Sequence, residues 1–154
     1  MESPLESIAA SGDVLLVIGT EGKRIRVQSL ILRTASTVFN AMLGPHYTEG
    51  WDLSSESPKD IFLPEDDPEA LRIIFNTIHY RLNTVDDPLD PPLVLRIAIM
   101  ADKYDFIQAL KLVSRDWLRC ENVVDAKKLW QLTMASGWLK SEKCFEENTL
   151  TLSR

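Results

Sequence analysis

Ala98-Ile99-Met100-Ala101-Asp102-Lys103-Tyr104-Asp105-Phe106 is the stretch on which the reading of this chain turns. One apolar helical turn runs into an Asp-Lys-Tyr-Asp junction, and apolar residues resume at Phe106. The pattern predicts two helices meeting at a polar elbow. Upstream, Arg96 is the single charge between Pro92 and Asp102. A helix apolar almost all round belongs at the centre of a domain, so 92–101 is expected to be the most buried element. Asp90-Pro91 opens it, a carboxylate cap followed by proline at the first helical position. The segment 83–92 before it, with three prolines and three aspartates, reads as a loop.

Further upstream, Asp67-Pro68 repeats the cap-plus-proline start, and Leu71, Ile74, Phe75 and Ile78 recur at helical spacing. Residues 13–18 suit a strand inside a core. Gly19 and Gly22 suit a hairpin loop, and 24–28 alternates as a half-exposed return strand. Ile61-Phe62-Leu63, ended by Pro64, adds a third strand near 60–63. Lys23, Arg24 and Arg26 are the only candidates for a basic patch, and the polar face of a half-exposed strand explains them better. Between these strands, Ser29 caps a short helix through Leu30, Ile31 and Leu32. Ser36 or Thr37 caps a second, with Val38, Phe39, Met42 and Leu43 as its stripe and Gly44-Pro45 as its stop, Gly44 in the left-handed conformation.

Downstream, Leu110, Val113, Trp117 and Leu118 mark a helix whose Lys111, Arg115 and Arg119 form a solvated stripe. Asp125 caps another that carries Leu129, Trp130, Met134 and Trp138. Cys144, Phe145 and Leu150 suggest a closing helix. The expected fold is α+β, a small β-sheet flanked by a helical bundle with extra C-terminal helices. The expected division is a flexible segment over 1–11, a domain over 12–120 and a helical extension over 121–154.

At 154 residues, 45% of them apolar, the chain is long enough for one domain with a sizeable core. A net charge of −6 repels phosphate backbones, so no nucleic-acid partner is expected. No apolar run approaches the roughly 18 residues of a membrane span, and Met1–Glu6 lacks the pattern of a signal peptide. The cytoplasm or nucleus is the expected compartment, with Cys120 and Cys144 as reduced thiols. Catalytic signatures are missing: no phosphate-cradling glycine loop, no nucleophile elbow, and neither His46 nor His79 at metal-ligand spacing from another ligand. The acidic run Glu65-Asp66-Asp67 fits a helix start better than a metal site. No enzyme activity, cofactor or metal is expected.

The order strand, hairpin, strand, helix pair, strand, long helix, central helix, closing helix resembles the BTB/POZ domain over about residues 12–112. The residues that carry the resemblance are Asp13-Val14, Leu32, Ser36, Phe39, Leu63-Pro64, Phe75 with Tyr80, and Ala101-Asp102-Lys103-Tyr104. Residues 121–152 resemble the helices that follow this domain in many fungal members. The resemblance implies a protein–protein interaction module forming a homodimer through the first helix pair, with Leu30, Ile31, Val38 and Met42 in the contact. In dimeric repressors of the family, a basic residue after the second strand pairs with the strand aspartate. Here Gln28 and Ser29 stand where the family carries His and a basic residue, so Asp13 is expected to bond nearby backbone instead. After Leu43, Tyr47-Thr48-Glu49 resembles the loop by which adaptor members bind a cullin scaffold, making Tyr47 and Glu49 the candidate partner-binding residues. The alternatives are a purely structural oligomerisation domain and a transcription-regulator role without a ligase.

Overall fold

The computed structural model describes residues 4–44 and 53–154. The chain forms two compact units, Met1–Val85 and Asp86–Arg154. The boundary expected at 120/121 runs through the second.

In the first unit, β2 (Val14–Ile18) and β3 (Lys23–Val27) form the antiparallel hairpin, turned by Gly19 and Gly22 at φ 79° and 67°. β4 (Lys59–Leu63) pairs in parallel with β2. A fourth strand, β1 (Leu5–Ser7), pairs in parallel with β3, giving the order β1-β3-β2-β4. The segment 1–11, expected from sequence to be flexible, thus contains a strand at Leu5–Ser7. Three residues are too few to display alternation, and their anchors lie far away in the chain. The Glu6 carboxylate accepts from Arg72 Nε at 2.8 and 2.9 Å, and Arg81 Nη1 donates to the carbonyls of Ser7 and Ile8. The strand cations are likewise used internally. Lys23 pairs with Glu6 at 3.8 Å, and Arg26 donates to the Gly12 and Ser55 carbonyls at 2.8 and 2.6 Å.

The helix pair is α1 (Ser29–Ala35) and α2 (Thr37–Met42). Ser36 caps α2, its Oγ accepting from Phe39 N–H at 2.9 Å. Gly44 does not take the left-handed conformation expected of it; α2 ends through Leu43 at φ −100°. α3 (Pro68–Ile78) starts at Asp67, whose carboxylate accepts from Ala70 N–H at 3.1 Å, and it packs against β3 and α1. Its Phe75 meets Phe39 of α2 edge to face, centroids 6.4 Å apart. Seven of its eleven residues are buried, against six of fourteen in the helix expected to be most buried. The correction has a local cause: Arg96, Ile99, Asp102 and Lys103 give that helix a wet face.

The second unit holds that helix, α4 (Pro91–Tyr104), followed by α5 (Lys111–Trp117), α6 (Ala126–Trp138) and α7 (Glu142–Leu152). α6 packs on both α4 and α7. Asp125 caps α6 through the amides of Lys127 and Lys128. Asp90 stands at the cap position of α4, but its carboxylate goes to Lys128 Nζ at 2.9 Å. The polar elbow falls three residues later than the sequence suggests. α4 continues through Asp102, and Asp105 turns the chain at φ 55°, letting Phe106 N–H bond Ala101 O at 2.8 Å. Tyr80 and Lys140 close α3 and α6 the same way at φ 60° and 56°. Such left-handed helix ends normally favour glycine. Among the described residues, no helix is long and apolar enough to cross a membrane.

Candidate interaction surface

The start of α1 gathers the side chains of Ser11, Asp13, Gln28, Ser29 and His79. A helix leaves its first amides without internal partners, and the residue at the cap position, Gln28, gives none from its side chain. Ser29 is the first helical residue and not the cap expected from sequence. Its amide donates to Asp13 Oδ1 at 2.8 Å and its hydroxyl to Asp13 Oδ2 at 2.6 Å. The Gln28 amide donates to His79 Nε2 at 3.2 Å, and the Gln28 side chain donates to the Ser11 carbonyl and hydroxyl at 3.0 Å. Gly12 makes the approach possible, because a Cβ there would lie 2.4 Å from Val27 O. Asp13 is thus taken up by the residue standing where the family has its basic partner, a serine in place of a cation.

His79 holds this arrangement as a neutral ring. Nε2 accepts from Gln28, so the proton sits on Nδ1, which lies 2.8 Å from Phe75 O. Burial pushes the pKa of His79 below its ordinary 6.5, the Phe75 carbonyl opposes the shift, and Arg81 adds to it. Because the folded pKa is lowered, the unfolded chain binds the proton more tightly. The contribution to stability is complete above about pH 6.5 and shrinks as the pH falls from there to the folded value. Urea unfolding at pH 7.5 and 5.5 should show this loss, and His79→Gln should reduce it. An NMR titration placing the ring pKa at or above 6.5 would contradict the assignment.

Outward from this anchor, Leu32, Phe39 and Leu43 are buried, Ile31, Val38 and Met42 are half-buried, and Leu30 is 69% exposed. Arg33 Nε ties α1 to Asn40 of α2 at 3.2 Å. The four candidate contact residues therefore sit on one helix pair and retain open apolar surface. Tyr47 and Glu49, with His46, lie outside the described residues. Sequence reading missed the roles of Ser29, Gln28 and His79. Only the departure from the family pattern at 28 and 29 hinted at the first two.

His79 has both nitrogens engaged with backbone groups, and Cys120 and Cys144 are free, half-buried thiols. Among the described residues, no cluster of three His, Cys, Asp or Glu side chains is placed to hold a metal ion.

A small mixed sheet carrying an anchored helix pair with open apolar side chains has the make-up of a protein–protein interaction module. The chain belongs to the BTB/POZ domain family, whose model matches residues 5–115. That match takes in β1 and ends inside α5, so α6 and α7 lie beyond it. No curated protein matches the chain.

Proposed function

We propose that this BTB/POZ protein self-associates through the α1–α2 pair and acts in the cytoplasm or nucleus as an adaptor, its Tyr47-Thr48-Glu49 segment engaging a cullin-type scaffold. The observation that supports the reading is the anchored pair itself. Leu30, Ile31, Val38 and Met42 keep apolar surface open on helices held by Asp13 and His79, which lowers the ordering cost of docking. The engagement of Asp13 by Ser29 removes the charged pocket on which a repressor-type role would depend, and so favours the adaptor branch.

Sedimentation velocity tests the first part. A stable interface buries about 1,200–2,000 Å², and the chain should be dimeric at tens of micromolar. Leu30→Asp, at an exposed position, should weaken the dimer at least tenfold without loss of fold. A monomer at that concentration, or a dimer indifferent to Leu30→Asp, would refute it. Calorimetry with a purified cullin N-terminal domain tests the second part. An interfacial Tyr is a typical hot spot, so Tyr47→Ala should cost about 2 kcal/mol, roughly thirty-fold in affinity. Glu49→Lys should weaken binding further at low salt. Absence of heat with the unchanged protein would sink the cullin contact while leaving self-association standing.

A further inference from the structure

The second unit contains a cleft of about 580 Å³ between α5 and the start of α7. Its rim has the opposite sign to the chain. Lys111 and Arg115 line it from α5, and Lys140 and Lys143 from the α6–α7 junction. Among the described residues, none of these four has an ion-pair partner. With Arg119, which lies 3.5 Å from Asp116, five cations stand against three carboxylates along the lining, in a chain of net charge −6. α7, eleven residues long, also begins here. Ser141 gives its first turn no side-chain cap, so the partly positive end of the helix adds to the field of the cations.

The floor supplies a second, independent observation. Leu118 and Leu139 form it together with Asn148, which is only 2% exposed. Asn148 Nδ2 donates to Leu118 O at 3.3 Å, which leaves its Oδ1 as an acceptor on the cleft lining. An open amide oxygen on the lining of a cationic cleft suits a ligand that brings N–H groups and negative charge together. A bare carboxylate brings only the charge. An extended polypeptide rich in Asp and Glu brings both, and an apolar residue among its carboxylates would lie along the aliphatic stems of the lysine and arginine side chains.

We propose that this cleft docks an acidic peptide segment of a partner protein, its carboxylates on Lys111, Arg115, Lys140 and Lys143 and a main-chain N–H on Asn148 Oδ1. Neither self-association nor a cullin contact is required for it.

Fluorescence anisotropy with the full chain tests this, the probe being a labelled heptapeptide of leucine flanked on each side by three glutamates. The expected dissociation constant is on the order of tens of micromolar, typical of a small charged contact, and it should weaken steeply with salt. The glutamine version of the peptide should bind at least ~10-fold more weakly. Arg115→Glu and Lys143→Glu, both at exposed positions, should each lose roughly tenfold or more, with unchanged thermal unfolding as the check on folding. Equal affinity for the two peptides, or unchanged binding in both variants, would overturn the proposal. Full displacement of the peptide by millimolar inorganic phosphate would overturn it too, leaving a simple anion site. Backbone amide shift changes confined to α5, α7 and the turn before α7 would support it, and changes confined to other elements would refute it.

Discussion

Phe75→Ala is expected to destabilise the protein by about 3–5 kcal/mol, the usual range for removing a fully buried ring. Phe75 has no exposed surface and stands where α3 meets Phe39 of α2. Truncation leaves a cavity that neither helix can close without giving up its cap, at Asp67 or at Ser36. Natural domains are stable by only about 5–15 kcal/mol, so a large part of that margin goes. For a chain of this length the melting temperature should fall by roughly 10 °C. Urea unfolding of the variant checks the figure. A loss below about 1 kcal/mol would mean that the ring pair does not hold the hairpin. A double-mutant cycle with Phe39→Ala should show a coupling of about 0.5–1.5 kcal/mol from the edge-to-face pair.

Asp13→Ala should cost about 2–3 kcal/mol and should also impair self-association. The substitution removes both bonds to Ser29 and leaves a Ser29 hydroxyl and amide, 7% exposed in all, without an acceptor. Bonds to a charged acceptor are the stronger kind, and buried donors left unmade add their desolvation cost. Asp13→Asn retains one acceptor and should lose about half as much. The companion readout is sedimentation: with the start of α1 released, the dimer should weaken more than the stability loss alone explains. Full dimer affinity in a destabilised Asp13→Ala protein would separate the anchor from the interface and refute the link.

Much of the fold can be read from the sequence because its signals are local. Ser36, Asp67 and Asp125 each announce a helix start and each bonds the amides expected of it. The hairpin strands fall within a residue of the periodicity that predicts them. What escaped depends on distance. β1 exists because Glu6 finds Arg72, 66 positions away. Asp105, Tyr80 and Lys140 end helices in a conformation that glycine would have advertised. Asp102 has the look of an elbow in the sequence because it is the first charge after Arg96, yet charge on the open face of a helix does not stop it. At the surface, the sequence pointed to the helix pair through family likeness. The Ser29–Asp13 and Gln28–His79 bonds, 16 and 51 positions apart, leave no periodic trace.

The order of strands in the sheet also has a consequence in time. A chain leaving the ribosome delivers β1, β2 and β3 together, within residues 5–27, and the β2–β3 hairpin can close at once. The other edge of β2 has to wait for Lys59–Leu63, because a parallel neighbour needs a long crossover. Until then Val14–Ile18, four of whose five residues are buried in the finished fold, presents an apolar edge with free backbone groups. An edge of that kind is a template for other chains. Nascent or truncated forms ending before residue 59 are therefore the species most prone to aggregate, and chaperone demand should peak in that interval of synthesis.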